Sequence, residues 1–110
     1  MTTAIGILAR APVPGSCKTR LIPAIGADGA ARVQRHLIRR TLSTACEAGA
    51  DSVVLFTEGD SGDGLWHELR RHHPVDIQPQ RGTDLGMRMA DAMRVLLETH
   101  RRAVLIGTDC

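Results

Sequence analysis

Four short apolar runs punctuate this chain: Ala4–Ala9, Ser52–Thr57, Val75–Gln78 and Ala103–Gly107. The first, second and fourth have almost no polar interior position. Such runs read as strands buried on both faces, where a half-buried strand would alternate. The third is weaker and is bracketed by Pro74 and Pro79, which suits an edge. Between the runs the apolar period lengthens. Val33, Leu37, Thr41/Leu42 and Ala45 predict a helix from about Asp28 to Ala48, with Asp28 as N-cap and Gly49 as the stop. A short helix is expected from a cap at Asp63 to about His72. A third, marked by Leu85, Met89, Ala92/Met93 and Leu96, runs to about His100. The order is therefore βαβαβαβ. It predicts an α/β fold, a mostly parallel sheet with right-handed crossovers and helices on both faces. Residues 10–26 form a long loop, which is unusual in a compact domain unless it is functional.

At 110 residues the chain is at most one small domain. The fourth run ends three residues before the chain does. A buried-type strand left at an open edge implies either a covering partner or the front portion of a larger domain, and the second is the preferred expectation. The first would make the exposed sheet edge a route to a homo-oligomer.

Bulk properties remove several function classes. A net charge of +2, with arginines spread in pairs along the chain, does not make a nucleic-acid stripe. One Phe, one Trp and no Tyr leave no aromatic platform for stacking bases. Cys17, Cys46 and Cys110 are odd in number and widely spaced, which indicates neither a zinc site nor a disulfide framework. Reduced thiols in a cytoplasmic protein are expected. No apolar run reaches membrane-spanning length, and no basic leader precedes the first one.

Three segments carry candidate chemistry. The first is Ala11-Pro12-Val13-Pro14-Gly15-Ser16-Cys17-Lys18-Thr19-Arg20, directly after the first strand, and Lys18 is the only lysine in the chain. A loop at a strand's carboxyl end is where ligands bind in open α/β sheets. Lys18 supplies a point charge for phosphate, Arg20 a bidentate fork, and Gly15 allows close backbone approach. Neither the Walker A spacing nor a G-x-G-x-x-G fingerprint is present. The same cations would equally serve as solvated loop residues. The second segment is Gly82-Thr83-Asp84-Leu85-Gly86-Met87-Arg88, where Asp84 reads as an N-cap with Arg88 one turn on, at a helix start facing the same cleft. The third is Gly107-Thr108-Asp109-Cys110, an acidic residue just past a strand, suited to a hard divalent cation or to an ordinary turn. Cys17 lies beside Lys18, which would lower its pKa.

Taken together, Ile7 to Leu21, Gly82 to Met89 and Ile106 to Cys110 resemble the bacterial glycosyltransferase-A-like family that includes selenodomain-associated transferases. The resemblance runs through essentially the whole chain, in order. It implies the N-terminal portion of a nucleotide-diphospho-sugar transferase fold, with strand order 3-2-1-4. It implies that Ala9, Ala11, Pro12, Gly15, Lys18 and Arg20 cradle a nucleotide and its phosphates, with Asp84 and Arg88 lining the cleft. Asp109 would hold Mg²⁺ or Mn²⁺, which makes Lys18 and Asp109 the expected catalytic pair. Where many such enzymes carry Asp-x-Asp, this chain has Thr108 between Gly107 and Asp109, and so only one carboxylate.

The expected function is transfer from a nucleotide-activated donor, a nucleotide sugar, with electrostatic stabilisation of the departing diphosphate. Nucleotidyl transfer with pyrophosphate release is the alternative. A non-catalytic nucleotide-binding or interaction module is the rival from another class.

Overall fold

The structure is a computed structural model that describes residues 2–60 and 64–108. Its single sheet has the order β3-β2-β1-β4, with β1 at Thr3–Arg10, β2 at Ser52–Glu58, β3 at Val75–Pro79 and β4 at Arg102–Gly107. All three pairings are parallel, so the strand order and the parallel sheet match the sequence expectation. Ile5 faces Val53 on one side and Val104 on the other.

Helix α1 (Ile22–Glu47) and α2 (Leu65–His72) pack on one face, α3 (Leu85–Leu97) on the other. The period of two along β1 and β2 sorts their side chains between two cores. Ile7, Ala9, Val53 and Leu55 join Ile38, Leu42, Leu65 and Leu69 beneath α1 and α2. Ala4, Val54 and Phe56 meet Ala92 and Leu96 of α3. Both faces are therefore apolar, which is why these two strands read as unbroken runs. Burying each large side chain, such as Phe56, Ile7 or Leu42, contributes about 1.5–3 kcal/mol. The close approach of α3 depends on Gly6. A Cβ there would lie 2.6 Å from Leu105 Cδ2 and 2.9 Å from Leu96 Cδ1.

Three local expectations change. The loop after β1 is shorter than predicted: a 3-10 turn occupies Thr19–Leu21, and α1 begins at Ile22. Pro23 in the first helical turn is compatible with that start, because its missing N–H would have had no intrahelical acceptor. Asp28 is not the N-cap. It lies inside α1, two residues past a kink at Gly26, whose φ of 78° is left-handed. The buried stripe of α1 runs through Gln34, Ile38, Leu42 and Ala45, one residue later than the Val33–Leu37 reading, so that Ile38 replaces Leu37 at the centre. The stop at Gly49 holds, with φ of 83°. The expected cap at Asp63 lies outside the described residues.

Candidate functional site

Strands β2 and β4 lie on opposite sides of β1, and the helices feeding them occupy opposite faces. Loops leaving β1 and β4 therefore diverge, and a crevice opens at the carboxyl ends of the strands. The structure has a cleft of about 550 Å³ there, within the size range of small-molecule sites. Its walls come from Leu8–Arg10 at the end of β1, Cys17 and Lys18 of the following loop, Gln34 of α1, Glu58 at the end of β2, and Gln80 beyond β3. Leu85, Arg88 and Met89 of α3 and Leu105–Thr108 around the end of β4 complete it.

Lys18 is the one non-glycine residue with positive φ among the described residues, at φ 48° and ψ 43°. A left-handed L-residue costs about 1–2 kcal/mol, and such strain tends to be retained at functional sites. The conformation turns the chain into the 3-10 turn, where Leu21 N donates to Lys18 O at 2.9 Å. The preceding loop is braced from below. Ala11 N donates to Glu58 O at 2.8 Å, and Arg10 Nη1 donates to Ser16 O at 3.2 Å.

Arg10 is the hub of this end of the sheet. Its Nε and Nη2 donate to Glu58 Oε2 at 3.2 and 3.1 Å. The other oxygen, Glu58 Oε1, takes Arg88 Nη1 at 2.8 Å. Arg88 Nε donates in turn to Gly82 O at 3.1 Å. The Arg88 hydrogen bond, reinforced by Arg10 and opposed by partial burial, holds the Glu58 carboxyl below its ordinary pKa. It stays ionised at neutral pH. Sequence reading missed Arg10 and Glu58; the available signal was a charged residue directly at the end of each of two apolar strands.

Two glutamines shape the floor. Gln34 is 2% exposed and donates from Nε2 to Arg10 O at 2.8 Å, while its buried Oε1 meets no donor. Gln80 Nε2 donates to Phe56 O at 3.1 Å and to Ala9 O at 3.4 Å. In both, the amide nitrogen is used by a strand-end carbonyl. Gln34 was legible only as a polar interruption of the apolar stripe of α1.

The expected site residues separate into groups. Ala9, Lys18 and Arg88 line the cleft. Ala11 lines a neighbouring depression with Val13, Ser16 and Gly59, and its N–H is spent on β2. Pro12 is buried, while Gly15 (φ 87°) and Arg20 are exposed outside the cleft wall. Asp84 caps α3, accepting from Met87 N at 2.8 Å. Arg88 pairs with Glu58 and not with Asp84 one turn before it. Leu85 and Met89, expected in the core stripe of α3, instead form an apolar wall of the cleft, at 64% and 43% exposed. Asp109 and Cys110 lie outside the described residues. Cys17 is buried, and desolvation outweighs Arg10 and Lys18, so its pKa is raised where the sequence suggested lowering.

Among the described residues no cluster of acidic, His and Cys side chains could hold a metal ion. Glu58 is the described carboxylate lining the cleft, and both its oxygens are engaged by arginines. None of the described helices is long and apolar enough to cross a membrane.

Residues 41–110 match the family model described as "Uncharacterized protein conserved in bacteria (DUF2064)". The chain belongs to this family. The matched stretch holds β2 through β4 and both the Gly82–Met89 and Gly107–Asp109 segments, and begins after the Lys18 loop. No curated protein matches the chain. The crystal structure of a Desulfovibrio desulfuricans G20 protein named "putative nucleotide-diphospho-sugar transferase" superposes with a TM-score of 0.80 at 28% identity. That match covers 99% of this chain and 48% of the Desulfovibrio protein, so this DUF2064 chain spans about half the length of that relative.

Proposed function

We propose that the cleft binds a nucleotide-activated donor, a nucleotide sugar, and that the chain belongs to a transferase acting on it. The observation that carries this is Lys18, held in a left-handed conformation at a cleft formed where β1 and β4 diverge. A cation fixed at that point, with two arginines lining the same cleft, suits a diphosphate. The apolar wall of Leu85 and Met89 gives a base or sugar face something to lie against. The likeness to the Desulfovibrio protein supports the same reading.

In this reading Lys18 neutralises charge that grows on the departing diphosphate, and the preorganised loop does so without rearranging. Arg20 and Gly15, exposed outside the cleft wall, would meet the phosphates only where the donor extends past the loop. Asp109 is the residue that would bind Mg²⁺ or Mn²⁺. The described cleft residues do not themselves make a metal site, so no step here is routed through the ion.

The test is a calorimetric titration with UDP, GDP, CTP, GTP and UDP-glucose, with and without Mn²⁺, of the wild type and of Lys18→Ala. One nucleotide should bind, and Lys18→Ala should weaken it at least tenfold. Equal affinity in the two proteins would remove Lys18 from the phosphate site, and no binding to any nucleotide would refute the reading.

A further inference from the structure

The cleft carries more positive charge than the Lys18 loop alone suggests, and part of it is already occupied by the protein's own carboxylate. Glu58 gives one oxygen to Arg10 and the other to Arg88. A carboxylate bridging two guanidinium groups at these distances resembles a phosphoryl group held by two arginine forks. Each arginine also has an anchor independent of Glu58: Arg10 on Ser16 O at 3.2 Å, Arg88 on Gly82 O at 3.1 Å. Both guanidinium groups would therefore keep their places if the carboxylate left. The triad is reachable from solvent, with side chains 55%, 33% and 26% exposed for Arg10, Glu58 and Arg88. All three line the same cleft as Lys18.

We propose that Glu58 is an internal stand-in for ligand phosphate: Arg10 and Arg88 form a diphosphate subsite, and Glu58 yields them when a diphosphate enters. This rests on the donor reading above and extends it to residues outside the Lys18 loop. The exchange preserves charge pairing at each step. In the empty cleft the guanidinium groups are not left facing one another unscreened. In the loaded cleft the displaced carboxylate turns toward solvent. A purely structural ion pair, tying α3 to the end of β2, would behave differently when the carboxylate is neutralised.

The experiment compares the wild type with Glu58→Gln and Arg88→Gln, using inorganic pyrophosphate, UDP and uridine as probes, with folding checked by circular dichroism. Glu58→Gln should bind pyrophosphate and UDP about tenfold more tightly, the scale of one charge-assisted contact no longer competed for. Arg88→Gln should weaken both, and uridine affinity should be the same in all three. In the wild type, the Arg10 and Arg88 Nε–H resonances should both shift as pyrophosphate saturates, a readout that needs no variant to fold. Equal or weaker pyrophosphate binding by folded Glu58→Gln overturns the exchange, as do unmoved arginine resonances. UDP binding that depends on Lys18 but is indifferent to Glu58→Gln removes the exchange and leaves the donor reading intact. Failure of every protein to bind either phosphate probe removes the exchange, and failure with every nucleotide of the titration above removes both.

Discussion

Lys18→Gly separates the two roles that the structure gives this residue. Its left-handed backbone costs about 1–2 kcal/mol for a side-chain-bearing residue. Glycine adopts the same φ without that penalty but enlarges the unfolded ensemble, returning about 0.5–1 kcal/mol. The net gain is about 0.5–1 kcal/mol, which for a chain of this size raises Tm by roughly 2–6 °C. The same substitution removes the ammonium group. Losing one charge-assisted contact of about 1.5–3 kcal/mol weakens binding by roughly 10- to 150-fold. Lys18→Gly should therefore be more stable than Lys18→Ala, which also lacks the ammonium group, and a poorer ligand binder than the wild type. Lys18→Ala, which keeps the strain, should lose the affinity without the gain in Tm. Thermal melts followed at 222 nm, a standard helix signal, and titration with UDP read the two quantities independently. A Lys18→Gly variant that melts no higher than Lys18→Ala would refute the strain argument. One that binds UDP as tightly as the wild type would refute the phosphate role.

Three further outcomes follow from the geometry. Gly6→Val places new atoms within 2.6 Å of Leu105 and 2.9 Å of Leu96; denaturant melts should show a loss of about 1–3 kcal/mol from overpacking against α3. Asp84→Ala removes the acceptor for Met87 N and should cost about 1 kcal/mol in the same assay, with Asp84→Asn recovering most of it. Cys17 titrates above its ordinary value near 9.0 because burial penalises the thiolate. Its alkylation by iodoacetamide, followed by mass spectrometry, should be slow at neutral pH and accelerate only above pH 9, and rapid labelling at pH 7 would contradict the buried, raised-pKa thiol.

Strands β1 and β2 were legible because burial on both faces leaves an unmistakable apolar run; β4 carries the same kind of run although it lies at the sheet edge with Val104 half exposed. The weak third run was legible because Pro74 and Pro79 frame it. The start of α1 was not. Pro23 looks like a helix breaker until its place in the first turn is known, and the kink at Gly26 interrupts the period that would have revealed the first turn. In the cleft, Lys18 stood out by composition, yet nothing local announces its left-handed backbone. Arg10 and Glu58 acquire their meaning from the register that sets β1 beside β2, where Arg10 faces Glu58. Arg88 seemed destined for Asp84, four residues away on one helix; a partner on another strand wins because Asp84 is already turned inward on the helix end. Likewise the apolar stripe of α3 could not reveal that its first turn overhangs the cleft, leaving Leu85 and Met89 outside the core.

The ladder between β1 and β4 sets the order in which the molecule can assemble. It joins residues about a hundred positions apart, Ile5 with Val104, whereas β1 and β2 close over less than half that span. Closing the longer segment costs more chain entropy and comes later, unless intervening elements have already shortened it. The sheet is therefore expected to grow outward from β1, β2 and β3 with α1 and α2 packed beneath. Docking of α3 and β4 is then the final event, and with it come Arg88 and the wall around Thr108. Intermediates lacking that last strand would carry the Lys18 loop and a packed core yet have no cleft, so that acquisition of ligand affinity becomes a clock for the completion of folding.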